Sequence, residues 1–332
     1  MVPPILQYFH SHLILKLPYP SKSFGGSTII VTGANSGLGL EAALILAVRN
    51  LEKGNAAKDS IIASTGKETT IEVWELDLAS RASVEAFAAR ANKLERLDIV
   101  VQNAGVLTHD FILVEGHEQM ITVNVINTFY LAFLLLPKLR NTSTRLNKEV
   151  VLTFTGSLTH WLAAFPERNS ANVLGQLANK DEADMRQRYV LSKLLELLAF
   201  RELSDAVAQS SSKPGDVVIS MANPGSVITN LDREGQGLRG RIWSAYVRVV
   251  GRTAEEGSRT IVHAAEGGRN THGQYLDDCQ IGRVSDFVNS KEGHDAQKKF
   301  MGGAYDTAGR KTARNHAKSL ISCSVPFINK LP

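Results

Sequence analysis

The chain has 332 residues, 43% hydrophobic and 21% charged, which suffices for one large α/β core and excludes a disordered polypeptide. Its formal net charge of +4 is concentrated in residues 301–332, where Arg310, Lys311, Arg314, Lys318 and Lys330 face the single acid Asp306. The remaining body is electrically balanced, so no nucleic-acid partner is expected.

Two cysteines, Cys279 and Cys323, make neither a disulfide framework nor a ligand cluster, and the nine histidines show no HExxH pairing. No metal and a reducing, cytoplasmic setting are the expectations. In chain order, residues 5–17 come first, an apolar stretch interrupted by Gln7, His10 and His12. It is shorter than the roughly 20 residues of a spanning helix. Neither a basic start nor a small-residue cleavage site marks a signal peptide. No membrane span is expected; surface packing and loose membrane association both stay open.

From Ser27 onward, short β-branched runs alternate with helical stretches, the pattern of a parallel sheet covered on both faces. Strands are expected at 28–32, 44–48, 71–75, 97–101, 150–154, 217–221 and near 274–276. Between the third and fourth, Val84, Phe87, Ala88, Ala91 and Leu94 repeat at helical spacing. A second helix, about 182–208, stacks Leu191, Leu194, Leu195 and Leu198 on one face. The expected fold class is α/β: one doubly wound parallel sheet in a single domain over 27–300, with an N-terminal extension (1–26) and an atypical tail (301–332) without sustained periodicity, expected to be poorly ordered.

Strand one runs into Thr32-Gly33-Ala34-Asn35-Ser36-Gly37-Leu38-Gly39. Glycines let the backbone turn tightly and approach a pyrophosphate at the start of the next helix. This TGxxxGxG spacing resembles that of the short-chain dehydrogenase/reductase family, which implies a Rossmann-like fold and a nicotinamide cofactor. The same resemblance extends over about residues 24–300. Asp77 and Leu78 follow strand three, where the family sets an Asp against adenine. Asn103-Ala104-Gly105 follows strand four and matches the family's NAG turn. Pro224-Gly225, Val227 and Thr229 match its PG-x-x-x-T segment near the nicotinamide carboxamide. The resemblance thus carries cofactor contacts to these residues and to Gly33, Asn35, Ser36, Gly37, Leu38 and Gly39.

Tyr189 and Lys193 form a YxxxK on a helix, so both lie on one face, one turn apart. A free phenol titrates near ~10, and a neighbouring ammonium is expected to lower that value. By resemblance, Tyr189 is the acid/base, and Lys193 tunes it and holds the nicotinamide ribose. Ser157 polarises the substrate oxygen, with Gly156 standing where many relatives carry a second Ser. Asn124 supports a proton relay to the lysine, or else is an interior polar residue bonding its own helix. The long span from Ser157 to Tyr189 resembles the retinol-dehydrogenase-like branch. Trp161, Phe165 and Pro166 within it either line an apolar pocket or pack the loop.

Arg49, ending strand two, suits the 2′-phosphate of NADP better than the hydroxyl of NAD, with Lys53 adding charge; it also reads as an ordinary surface residue at a helix start. One departure stands out. Only Leu40, Glu41, Ala42 and Ala43 separate Gly39 from strand two, whereas a right-handed crossover needs ~10–12 residues with its helix. Either 40–49 becomes helical and strand two is lost, or strand two survives and the helix is a stub. Both outcomes predict weakened cofactor binding.

The expected function is NADP(H)-dependent interconversion of a carbonyl and an alcohol on a mostly apolar small molecule, with residues 226–250 as a flap over the pocket. The alternative is a catalytically impaired binding protein of the same family. An epimerase or dehydratase fits the glycine spacing less well. A homodimer through the helix bearing the apolar stretch 129–136 is one reading; burial of that stretch within the monomer is the other.

Overall fold

A computed structural model describes residues 4–33, 43–66, 70–210, 215–228 and 248–307. Runs such as TIIVT, ALILAV and IVVQ are apolar at successive positions, the composition of strands buried on both faces. They form β1 (Thr28–Thr32), β2 (Ala43–Val48), β3 (Ile71–Glu75) and β4 (Ile99–Gln102). Next come β5 (Glu149–Thr155), β6 (Asp216–Asn223), β7 (Tyr275–Asp277) and β8 (Gln280–Ile281). The sheet order is β8-β7-β6-β5-β4-β1-β2-β3. All pairings are parallel except β7 with β8. The direction of winding reverses between β1 and β4, which opens a crevice at the carboxyl ends of the strands.

The helices are α1 (Pro4–Leu13), α2 (Leu51–Thr65), α3 (Arg81–Ala91), α4 (Gln119–Leu146), α5 (Met185–Gln209), α6 (Ala254–Ala265) and α7 (Lys291–Thr307). On one face of the sheet, α3, α4 and α5 bury the larger core around Phe87, Leu131, Phe154 and Phe200. On the other, α2 and α6 cover Ile29, Val31, Leu46 and Val101 through Ile61, Ile62, Ile261 and Val262. By length and apolarity α4 could cross a membrane, but 83% of its apolar window is buried inside the fold. It is a core helix. Within it, Phe129, Leu131, Phe133, Leu135 and Leu136 are buried in the monomer, so this stretch calls for no partner chain.

Strand two survives. It pairs with β1 from Thr28↔Ala43 to Thr32↔Ala47 and with β3 along Leu44↔Ile71 to Val48↔Glu75. The alternative in which 40–49 becomes helical is therefore corrected: Leu44, Ile45 and Leu46 are apolar on both sides and fill the slot between two neighbours. Residues 34–42, which must carry the chain back to the start of β2, lie outside the described residues. The expected boundary at residue 300 falls inside α7, where Phe300 and Met301 are buried on the same helix face as Ala296 and Gln297. Residues 308–332 of the expected tail lie outside the described residues.

Candidate active site

The motifs meet at the carboxyl ends of β1, β4, β5 and β6, joined by hydrogen bonds. The Thr32 hydroxyl accepts from the amides of Asn103 and Ala104, each at 3.0 Å. Asn103 Nδ2 donates to the carbonyls of Thr32 and Gly33, both at 3.2 Å. Gly33 has φ +65, and a Cβ there would stand 2.8 Å from Ala104 Cα. Only glycine permits that approach, so the start of the glycine-rich segment lies against Asn103–Gly105.

From Asn103 the chain of contacts crosses to β5. Thr155 Oγ1 donates to Asn103 Oδ1 at 3.2 Å, and the Thr155 carbonyl accepts from Lys193 Nζ at 2.8 Å. Lys193 also donates to Glu196 Oε2 at 2.8 Å, one turn further along α5. Both are buried. Burial opposes the Lys193 ammonium, yet Glu196 and Tyr189 outweigh it and hold its pKa above the ordinary lysine value. The Tyr189 phenol is pushed above its ordinary value: burial raises it, Lys193 lowers it, Glu196 raises it again. The ammonium acts in the expected direction, lowering the phenol, but burial and Glu196 exceed its effect.

Asn124 lies in a π-helical turn, Thr122–Asn127, within α4. Such turns redirect side chains and recur at functional sites. Its Nδ2 donates to Ser192 Oγ and to the Val106 carbonyl at 3.0 Å, and its Oδ1 accepts from the Val106 amide at 2.8 Å. It therefore ties α4 to the YxxxK helix and to the loop after β4, rather than bonding its own helix. Arg188, fully buried beside Tyr189, lies 4.0 Å from Glu118 and 3.8 Å from Glu167 and links the starts of α4 and α5.

Ser157 follows β5 and caps a 3-10 turn, Leu158–Leu162, its hydroxyl accepting from the Thr159 amide at 3.2 Å. Thr159 Oγ1 donates to the same oxygen at 2.9 Å. A Cβ on Gly156 would stand 2.7 Å from Met221 Sδ, so a serine here would require the Met221 side chain to move. His160 holds the carbonyl of Ser157 through Nδ1 at 2.8 Å. Phe165 is buried in the main core, Trp161 is half-buried and Pro166 is exposed, so Phe165 packs the loop.

Beyond β6, Asn223 Oδ1 accepts from the amides of Leu158 and Gly225 at 3.1 and 3.2 Å, coupling the serine turn to the PG turn. Pro224 offers its carbonyl to Arg252 at 3.2 Å, while Val227 turns its side chain toward Gly257 of α6. The N-terminal helix docks here. His12 Nε2 accepts from the Ser226 amide at 2.9 Å, and Ser11 and Asp278 pair with Arg252.

Arg49 is exposed just past the end of β2, and Asn50 caps α2 by accepting from the Lys53 amide at 2.9 Å. Asp77 Oδ1 accepts from the Ala79 amide, and the Leu78 carbonyl from Asn127. Gly105 borders Asn124, its would-be Cβ 3.4 Å from Oδ1. Asn35, Ser36, Gly37, Leu38, Gly39 and Thr229 lie outside the described residues, as does 229–247 of the expected flap. The sequence reading missed Thr155, His160, Arg188, Glu196 and Asn223. Thr155 and Asn223 adjoin motifs and were findable as the residues ending β5 and β6; the others carry no spacing signal.

A family model described as short chain dehydrogenase matches residues 27–147. Short-chain dehydrogenase anuD of Penicillium roqueforti is 38% identical over 89% of this chain and 81% of its own length. Short chain dehydrogenase atnD of Emericella nidulans is 41% identical over 82% of this chain and 90% of its own. Among solved structures, a Mycobacterium paratuberculosis protein superposes with a TM-score of 0.63 at 22% identity, covering 87% and 95% of the two chains. Salutaridine reductase from Papaver somniferum does so at 0.54 and 16%, covering 75% and 99%. The chain belongs to the short-chain dehydrogenase/reductase family of oxidoreductases.

Proposed function

We propose that this protein interconverts a carbonyl and an alcohol on a mostly apolar small molecule, with NADP(H) as cofactor. The observation that carries the reading is the unbroken series of hydrogen bonds from Gly33 through Asn103 and Thr155 to Lys193. It joins the phosphate-binding turn to the proton-handling pair across three adjacent strands. The close backbone at Gly33–Ala104 fits a dinucleotide laid over the strand ends. When bound, the cofactor supplies or accepts the hydride.

The protein's part is orientation and proton transfer. Tyr189 gives its phenolic proton to the substrate oxygen during reduction and removes it during oxidation. Ser157 donates a hydrogen bond to that oxygen as charge develops, its hydroxyl rotating away from Thr159. Lys193 holds the nicotinamide ribose, and Asn124 steadies α5 through Ser192. Arg49, with Lys53 one turn into α2, supports NADP over NAD by placing positive charge beyond β2, where the adenosine ribose lies in this fold. Leu162, Ile228 and Val249 are exposed apolar side chains in segments flanking Ser157 and the PG turn, which supports an apolar substrate.

Phenanthrenequinone reduction followed by NADPH absorbance tests the reading. Tyr189→Phe is expected to lower turnover by about 100-fold or more while leaving NADPH binding in place. Unchanged turnover in that variant would remove Tyr189 from the mechanism. A second reading, a family member impaired in cofactor binding, is favoured by the short 34–42 connection. It predicts a folded wild-type chain that fails to bind NADPH.

A further inference from the structure

Glu196 is the one element of this cluster that the proposed reaction leaves unused. It is 3% exposed on α5, one turn beyond Lys193, and its carboxylate meets the ammonium at 2.8 Å. A buried carboxylate costs several kcal/mol of desolvation, and a buried pair of this kind is seldom favoured over apolar packing for stability alone. Leu191, Leu194, Leu195, Leu197 and Leu198 around it show that an apolar side chain would suit this part of the helix. The acid therefore needs an explanation beyond packing.

We infer that Glu196 is a positioning residue for the Tyr189–Lys193 pair: it clamps the Lys193 ammonium between its carboxylate and the Thr155 carbonyl, and sets how much of that charge Tyr189 feels. The inference rests on the proposed role of Tyr189 as proton donor and acceptor. Two of the three ammonium protons are taken by Thr155 and Glu196. The third remains for the ribose hydroxyls, so the clamp fixes the direction in which Lys193 can bond a cofactor.

The electrostatics follow the same geometry. The charges that bear on Tyr189 are Lys193, which lowers the phenol, and Glu196, which raises it; Lys193 is likewise the charge that bears on Glu196. Among the described residues, the groups that neighbouring elements bond to this cluster are uncharged: the Thr155 carbonyl from β5, and Asn124 from α4, which reaches it through Ser192. A neutral ion pair leaves Tyr189 a stronger base and weaker acid than a lone ammonium would. That favours a protonated phenol at neutral pH, the form needed for carbonyl reduction.

The test follows the phenolate by near-UV absorbance against pH, taking each protein minus its Tyr189→Phe counterpart. It needs neither turnover nor cofactor, so its failure is distinct from failure of the enzymatic reading. Glu196→Gln keeps the shape and the acceptor oxygen but removes the charge. The Tyr189 midpoint is expected to fall by about one pH unit or more. If that variant does not fold, Glu196→Asp draws the carboxylate back from the ammonium and is expected to move the midpoint in the same direction by less. An unmoved midpoint in whichever variant folds overturns the inference. In the quinone assay, Glu196→Gln should bring the alkaline limit of reduction to lower pH by the same interval, which a purely structural role would not do.

Discussion

His160 couples Ser157 to the C-terminal part of the chain. Its Nε2 accepts from the Ser285 amide at 3.2 Å, so its proton sits on Nδ1 and is donated to the Ser157 carbonyl. Burial pushes the imidazole down to about 4, because a charged ring here would lose solvent and turn a second N–H toward the Ser285 donor. The unfolded chain takes up this proton near ~6.5 and the folded one near 4. The neutral ring's contribution is therefore complete above the unfolded value and is lost as pH falls from 6.5 toward 4. The loss is on the order of 3 kcal/mol. Urea unfolding across this interval should show a steeper decline for the wild type than for His160→Gln, and parallel curves would refute the assignment. At this scale the sequence was readable where chemistry imposes spacing: Tyr189 and Lys193 are neighbours on α5, and Asn124 reaches the same helix through Ser192. His160 and Glu196 act through a backbone carbonyl and an i,i+3 contact, which no motif records.

Among the elements, the strands were legible because parallel strands buried on both faces are continuously apolar; β1, β3 and the centres of β5 and β6 fall where the sequence places them. The helices were less so. α2 was hinted at only by a possible helix start at Arg49, since it has little apolar period and admits Gly54, whose missing side chain lets it sit on Val48 and Val73. α6 carries a readable start, a capping box from Thr253 to Glu256. Its ends apart, the sheet also depends on Asp98, which precedes β4 and accepts from the Thr28 amide, Arg96 and Lys148 at 2.7–2.8 Å. Burial alone would raise this carboxyl, but the bonds from Arg96, Lys148 and Thr28 outweigh it and hold it below the ordinary range. Its stabilisation is present above pH ~4 and lost as pH falls through the lowered value. Asp98→Ala is expected to cost about 2–4 kcal/mol in urea unfolding at neutral pH. A cost under ~0.5 kcal/mol would mean that β1 and β4 align without it.

Taken as a whole, the molecule has a complete sheet and a hydrogen-bonded cluster from Gly33 to Lys193, with only residues 34–42 between Gly33 and β2. Loss of strand two was one of two outcomes the sequence allowed, and pairing with β1 and β3 decided against it. On the proposed reading, the short path would weaken support for the pyrophosphate. Lengthening 34–42 by about a dozen helical residues should tighten NADPH binding by about tenfold, or 1.4 kcal/mol; no gain would show that the short connection suffices. A NADP(H) site at the strand ends can be checked by fluorescence titration of the purified chain with NADPH and NADH, alongside Arg49→Ala. NADPH should bind more tightly than NADH, and the substitution should remove most of that difference while leaving NADH binding unchanged. A cooperatively folded chain that binds neither nucleotide would contradict the proposed site.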